Sequence, residues 1–206
     1  MAGEQQSKLR SFSSLERRSG HRKRGLAILF GCEGDTEASY LRQVCRELGI
    51  HGDFPTATQG LDPLRLVERT MKSYDPDYDL VACVFDRDDH GSFDEARSQI
   101  RLLAGRKRQP VPIIEAVSLP CFEVWMLMHM ERTDKPFQNS AQVIAHIQAN
   151  HIGDYAKEKA PNLTSQIDIA CENATWLQQR YDANGRTGAF TNVHDLIARL
   201  RALEPK

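Results

Sequence analysis

Residues 26–44, "LAILFGCEGDTEASYLRQV", contain the strand, the turn and the helix start from which the fold can be worked out. Residues 25–32 form a continuous apolar run, which is typical of a strand that is covered on both faces. Apolar residues then recur at helical spacing over 36–49, and Gly49 supplies a stop signal. The stretch therefore predicts a β-strand followed directly by an α-helix.

The turn between this strand and this helix has unusual chemistry. A glycine-bearing turn before a helix often binds phosphate through backbone N–H groups. Here the turn carries Glu33, Asp35 and Glu37 but no lysine, and the G-K-[ST] signature is missing. A nucleotide-binding P-loop is therefore excluded, and the acids need another explanation.

The same strand-helix alternation continues as far as about residue 131. We predict an edge strand within 52–60, where Pro55 interrupts the pattern, and a helix over 62–74 with Asp62 as its N-cap. Two further strands and two further helices follow at 77–90, 92–108, 111–118 and 120–130, the last with Pro120 at its start. The expected fold class is α/β, with a central, mainly parallel four-stranded sheet flanked by helices.

The pattern changes in the last third of the chain, where no strand candidate remains. Helices are predicted at 139–150, 165–184 and 191–203. The segment 183–192 is interpreted as a connection, with Thr191 or Asn192 capping the last helix. We expect residues 1–23 to be a disordered basic arm, 24–131 the α/β core, and 132–206 a helical extension packed on that core.

Composition limits the class of protein. The 206 residues are 40% apolar, enough for a real core, but no apolar run approaches the ~20 residues that cross a membrane. Five cysteines at wide spacings, without a CxxC pair, indicate reduced and mostly buried thiols. The sequence therefore predicts a cytoplasmic protein with no membrane association.

Charge is distributed unevenly along the chain. Residues 1–24 contain seven Lys or Arg against two Glu, which is +5, so that the net charge of −1 leaves −6 for the rest. A basic arm on an acidic body is expected if the arm contacts an anionic polymer such as nucleic acid. A solubilising tail explains the same charge equally well.

Acidic residues follow two of the predicted strands. Glu33 ends the first strand and Glu37 lies in the first turn of its helix, while Asp86, Asp88 and Asp89 end the third. Ligands of open parallel sheets bind beyond the carboxyl ends of the strands, so neighbouring strands would bring these acids together. Such a group favours a divalent, oxygen-preferring ion, Mg²⁺ or Mn²⁺.

Caps and turns are the alternative explanation for the same acids. Asp35 is a natural N-cap, and Asp89 can begin the turn "DDHGS". Because the two clusters occur together at the ends of two predicted buried strands, we favour a metal site.

Three ordered motifs, "ILFGCEGDTEASYL", "VACVFDRDDH" and "SLPCFEVWMLMHM", resemble the RloB-like family. That family's core is similar to the topoisomerase-primase (Toprim) fold of OLD-type nucleases, and the resemblance covers residues 25–203. It implies that Glu33 is a general acid/base or a metal ligand, that Glu37 is a metal ligand, and that Asp86 and Asp88 hold Mg²⁺.

The resemblance also extends the set of candidates and implies a biological role. Glu123, in a segment similar to the family's N-P-C-F-E-x-W but with Leu119 in place of Asn, is a further site candidate, as are Asp89 and His90. His90 and His129 are weaker candidates for proton transfer, and Arg87 and Lys135 for phosphate contact. The family is associated with restriction-modification loci and anti-phage defence, which implies a nucleic-acid substrate and partner proteins from such a locus.

The sequence thus predicts a Toprim-type, Mg²⁺- or Mn²⁺-dependent nuclease that cleaves DNA or RNA, tRNA included. A haloacid-dehalogenase-like phosphatase also uses a D-x-D after a strand, but normally after its first strand. A module that binds nucleic acid or protein without turnover is the alternative from another class.

Overall fold

The structure is a computed structural model that describes residues 25–56, 61–87, 91–105, 111–157 and 161–203. The predicted basic arm, together with Asp88, Asp89 and His90, lies outside these ranges. The strands are β1 (Ala27–Cys32), β2 (His51–Asp53), β3 (Leu80–Asp86), β4 (Ile113–Leu119) and β5 (Phe190–Thr191). The helices are α1 (Asp35–Leu48), α2 (Pro63–Lys72), α3 (Phe93–Ala104), α4 (Glu123–Met128), α5 (Ser140–Asn150), α6 (Ile167–Ala183) and α7 (Val193–Arg201).

The strands form one sheet in the order β2-β1-β3-β4-β5. The first four are parallel, and β2 lies at the edge, as its proline-interrupted pattern predicts. This arrangement confirms the α/β class and the mainly parallel sheet, while the more specific Toprim description stays a prediction. The adjacency on which the metal hypothesis depends is also present, because Cys32 at the end of β1 pairs with Val84 of β3.

The prediction that no strand follows residue 131 is wrong. Phe190 and Thr191 form β5, which pairs antiparallel with the end of β4 and makes the sheet five-stranded. Two residues are too few to show a strand period. Tertiary contacts hold β5 in place instead: the Ser118 and Thr191 hydroxyls lie 3.0 Å apart, and the Val117 N–H donates to Asn192 Oδ1 at 2.6 Å.

Each face of the sheet carries a separate apolar core, as the unalternating strand sequences predict. Leu29, Val81 and Phe85 face α2 and α3 on one side. Ile28, Phe30 and other alternate strand residues face the remaining helices, α1 and α4 to α7, on the other side. The three C-terminal helices therefore share a core with the sheet.

Gly31, in the middle of β1, allows α2 to pack closely on the sheet. A Cβ atom at this position would lie 2.0 Å from Thr70 Oγ1, so any side chain would force the helix away. The Thr70 hydroxyl donates to the Leu66 carbonyl within the same helix and is fully buried against the strand.

Several helix ends differ from the sequence predictions. Asp62 caps α2 as predicted and accepts a hydrogen bond from the Arg65 N–H. Asp35 is not an N-cap, because Gly34 holds that position and Asp35 is the first helical residue. Pro120 does not begin α4, which starts at Glu123 after Phe122.

Other general expectations can be compared with the structure directly. Cysteines 32, 45, 83 and 121 are buried free thiols, and Cys171 is partly exposed and free, which confirms the predicted cysteine usage. Among the described helices, none has both the length and the apolar character needed to span a bilayer.

Candidate functional site

The ends of β1 and β3 bring the first two predicted acids together. Glu33 directly follows β1, and its Oε2 accepts a hydrogen bond of 3.0 Å from the backbone N–H of Asp86, the last residue of β3. The Glu33 N–H in turn donates to the Val84 carbonyl at 3.2 Å. Glu33 is thus fixed to the neighbouring strand at both its backbone and its side chain.

Glu37 reaches the same place from the first turn of α1. Its side chain is 6% exposed and folds back over the turn, so that a Cβ atom at Gly34 would lie 2.9 Å from Glu37 Oε2. The carboxylate also interacts with its own backbone N–H. Gly34, which has no side chain, therefore leaves room for the Glu37 carboxylate.

Glu123 joins the group from the end of β4. It is the first residue of α4 and is only 1% exposed. Its negative charge acts on both Glu37 and Asp86 and raises the pKa of each. The structure thus brings this candidate together with the acids of β1 and β3.

Burial and mutual repulsion make Glu37 and Asp86 unusually weak acids. Burial, followed by the charges of Glu123 and Glu33, raises the pKa of Glu37 to about 7. Burial, followed by the charges of Glu37 and Glu33, raises the pKa of Asp86 well above its usual value. A cation beside these acids would favour the ionised forms of Glu37 and Asp86.

One cation in the described part of the chain does face this group. Lys157 Nζ lies 3.3 Å from Glu123 Oε2. Burial alone would lower the pKa of Lys157, but the negative charge of Glu123 raises it above its usual value. The Thr36 hydroxyl donates to the Lys157 carbonyl at 3.2 Å, which ties this segment to the first turn of α1. Sequence reasoning missed Lys157, because it follows α5, far from every motif, and its local sequence carries no signal.

A single lysine does not satisfy the acids. Asp86 Oδ1 and Glu123 Oε1 are buried and accept no hydrogen bond from any described residue. A buried carboxylate oxygen without a donor is costly, and an ion is one way to satisfy it.

The donor set fits a hard divalent ion. All the candidate ligands are carboxylates, which Mg²⁺ and Mn²⁺ prefer, and Mg²⁺ commonly takes only one or two of them and completes its shell with water. Among the described residues, no three of these acids have oxygens that all lie within 4.8 Å of one another. In this arrangement an ion would therefore use fewer than three of them directly. Asp88, the predicted partner of Asp86, lies outside the described residues.

The weaker candidates have other neighbours. His129 is buried between Tyr40 and Trp125: its Nε2 lies 3.0 Å from the Tyr40 hydroxyl, and its Nδ1 3.0 Å from the Trp125 carbonyl. Burial lowers the pKa of His129 to about 4, which keeps it neutral in this aromatic cluster. Lys135 Nζ lies over the Phe137 ring, 5.7 Å from its centroid.

Arg87, directly after Asp86, lines a cavity of about 230 Å³ between α3, β4 and the end of α6. Its guanidinium donates to the Tyr181 hydroxyl at 3.0 Å and lies 5.3 Å from the Phe93 ring centroid. Two more arginines line the cavity, Arg97 and Arg186. Arg97 is paired with Glu115, through an Nε to Oε1 hydrogen bond of 2.7 Å.

Comparison with known proteins adds one finding. Neither the curated proteins nor the solved structures contain a match to this chain. The family model described as RloB-like protein matches residues 28–200, a range that lacks only the first residue of β1 and the last residue of α7 among the helices and strands. The protein therefore belongs to the RloB-like family.

Proposed function

We propose that this protein is a nuclease that depends on Mg²⁺ or Mn²⁺ and hydrolyses phosphodiester bonds of DNA or RNA. The observation that carries the proposal is the meeting of Glu33, Glu37, Asp86 and Glu123 at the carboxyl ends of three adjacent parallel strands. Glu37 and Glu123 are almost wholly buried, Asp86 is half-buried with a buried Oδ1, and the described residues offer them one lysine. A fold does not keep such a group for stability, because buried like charges are destabilising.

The residues have distinct roles in this proposal. Asp86 and Glu37 would hold the ion, with Asp88 as a further ligand. A bound divalent ion would activate water and stabilise the leaving oxygen of a phosphodiester. Glu33 is held by the Asp86 N–H. It would orient the attacking water or accept a proton from it.

Glu37 and Lys157 complete the set. Because burial raises the pKa of Glu37 to about 7 in the metal-free protein, an ion bound at this carboxyl near neutral pH would displace its proton. The ammonium of Lys157 partly neutralises Glu123 and would lie near the phosphate of a substrate bound at the ion. The arginine- and aromatic-lined cavity that begins at Arg87 supports a nucleic-acid substrate, since phosphates and bases prefer these side chains.

The test uses purified full-length protein with end-labelled single-stranded DNA, duplex DNA and tRNA, in EDTA, Mg²⁺ or Mn²⁺. Cleavage of at least one substrate by the parent protein in a divalent ion, and its loss in Asp86→Asn, is expected. Asp168→Asn is the matched control, because this aspartate is 81% exposed on α6, away from the acids. Binding of substrate without cleavage in any ion, equally in parent and Asp86→Asn, would instead support the non-catalytic binding module.

The cellular setting is proposed on the family relationship alone. Membership of the RloB-like family suggests a role in anti-phage defence or beside a restriction-modification system, in the cytoplasm, with partner proteins from the same locus. Sequencing of nucleic acids cut in cells after induced expression of parent and Asp86→Asn protein would identify the substrate. Absence of any cut that depends on Asp86 would contradict this role.

A further inference from the structure

A second cluster of ionisable side chains lies outside the acid group, which consists of Glu33, Glu37, Asp86 and Glu123. Glu131, just after α4, accepts hydrogen bonds from two histidines: its Oε1 lies 2.7 Å from His146 Nε2 and its Oε2 lies 3.1 Å from His151 Nε2. His146 belongs to α5, and His151 directly follows that helix. The three ligand atoms all lie within 4.8 Å of one another, the one such set in the described part of the chain.

The cluster is half-enclosed. The side chains of Glu131, His146 and His151 are 28%, 15% and 20% exposed. The His146 ring also packs at 5.4 Å from the Phe137 ring, which helps to fix its orientation. Both imidazoles thus direct Nε2 to one point at the surface, with a side open to solvent.

We propose that Glu131, His146 and His151 form a binding site for Zn²⁺ or a closely similar transition-metal ion. Two imidazoles and one carboxylate are a common ligand set for zinc, and solvent supplies the fourth ligand through the open side. The site differs in chemistry from the acid group: imidazole nitrogen favours zinc over Mg²⁺, which prefers oxygen. The two sites therefore select different ions.

The hydrogen bonds show what binding requires. His146 Nδ1 lies 3.2 Å from Asn150 Nδ2 and 3.4 Å from Lys135 Nζ, so in the metal-free protein it accepts and Nε2 carries the proton. An ion at Nε2 replaces that proton, and the neutral ring then carries its one proton on Nδ1. The rearrangement needs Lys135 and Asn150 to turn away; both are exposed, and Asn150 Nδ2 then also gives up its 2.8 Å hydrogen bond to the His146 carbonyl.

The position of the site gives it a structural consequence. His151 begins the short segment that ends at Lys157, whose ammonium faces Glu123 in the acid group. The Gln148 side-chain amide, on α5, donates to the carbonyl of Tyr155 in that segment at 2.9 Å, and Tyr155 is buried. An ion held by Glu131, His146 and His151 would join the end of α4 to the start of this segment.

The test is calorimetric titration of Zn²⁺ into the full-length protein in excess Mg²⁺, with four substitutions. One Zn²⁺ per chain is expected for the parent and for Asp86→Asn, which disrupts only the acid group. His146→Ala and His151→Ala should weaken binding by more than the roughly 10–100-fold that follows loss of a residue that merely orients a ligand. His51→Ala is the matched control, because His51 also pairs with a carboxylate, Asp53 at 3.2 Å, but no second histidine among the described residues joins that pair.

A second measurement uses only the parent protein, so it does not require that any substituted protein folds. In the ¹⁵N-histidine spectrum of the parent, Zn²⁺ should shift the Nε2 resonances of two histidines only, and the Nε2 of His51 should stay unchanged. The proposal is overturned if Zn²⁺ does not bind, if it binds equally to His146→Ala and His151→Ala, or if its binding is lost in Asp86→Asn.

Discussion

The two clusters of ionisable side chains differ in how their charges are balanced. The acid group at the sheet edge sets four carboxyls against one lysine and leaves Asp86 Oδ1 without a donor among the described residues. The second cluster sets one carboxylate against two imidazoles, and each oxygen of Glu131 has a partner. Under the two proposals made above, an ion would neutralise the first cluster, whereas in the second a metal ion would compete with a proton for the same nitrogens.

The balance of charges in a buried cluster indicates what binding of an ion would require. Where like charges are buried with too few partners, folding is opposed and an ion repays that cost when it binds. Where every group has a partner, the cluster is stable alone, and an ion binds only by replacing a proton. The predictions below test this contrast, from the largest expected effect to the smallest.

Cleavage should depend strongly on the acid group and weakly on the second cluster. Glu33→Gln keeps the size of the side chain but removes its charge and its ability to accept a proton, and we expect a loss of roughly 10²–10⁴-fold in cleavage rate. His146→Ala should retain most of the activity. Initial rates under metal saturation give the comparison, and equal losses in the two variants would show that the clusters do not have separate roles.

Mg²⁺ should stabilise the parent protein through the acid group. An ion present at 100 times its dissociation constant adds about 2.7 kcal/mol to the free energy of unfolding. For a chain of this size that corresponds to a rise in Tm of roughly 5–10 °C. The rise should vanish in Asp86→Asn and persist in His151→Ala, as measured by thermal unfolding with and without EDTA. The same rise in both variants would place the Mg²⁺ site elsewhere.

The two clusters should give opposite dependences of stability on pH. The pKa of Glu37 is raised in the folded protein from 4.5 to about 7, chiefly by burial, so the folded state holds a proton that the unfolded state loses first. The free energy of unfolding should fall as pH rises from 4.5 to 7, by on the order of 3 kcal/mol.

Glu131 should act in the other direction. Burial alone would raise the pKa of Glu131, but hydrogen bonds from His146 and His151 lower this pKa below its usual value. Its stabilising contribution is present above pH 4.5 and is lost as pH falls through the folded-state pKa. Denaturation in EDTA, comparing the parent with Glu37→Gln and Glu131→Gln from pH 7 to below pH 4.5, separates the two contributions. Slopes of the same sign would contradict the contrast.

An exposed ion pair should matter least. Arg201 Nη1 lies 2.7 Å from Asp168 Oδ1, but the aspartate side chain is 81% exposed. Asp168→Asn should change the free energy of unfolding by less than about 0.5 kcal/mol, because water screens such pairs. Denaturant titration measures this, and a change several times larger would show that exposure is a poor guide to the weight of charges in this protein.

The sequence predicted most of the fold because its strands are continuous apolar runs and its helices have clear periods. The run at 25–32 and the acid-ended run at 77–90 became neighbouring β1 and β3, as their chemistry suggested. Two-residue β5 could not be found in the same way, because it depends on the Ser118 hydroxyl and the Asn192 side chain rather than on any local pattern. Asp35 and Pro120 were misplaced because strong local signals for a helix start lay one to three residues from the real ends.

The candidate site divides in the same manner. Glu33, Glu37 and Asp86 could be predicted because each lies beside a strand end, where the chain must deliver its side chain to the edge of the sheet. Glu123 depended on a family resemblance, and the structure then showed its charge acting on the other acids. Lys157, Glu131, His146 and His151 carried no signal, since their neighbours are distant along the chain.

By itself the sequence determined which residues form the strands and that acids follow two of them, because periodicity and strand-end chemistry are local. Tertiary structure alone decided that Glu123 and Lys157 face those acids, that Gly34 makes room for a carboxylate, and that two histidines share Glu131. These contacts arise from packing between segments that are far apart in the chain, and no local pattern encodes which distant side chain will lie beside which.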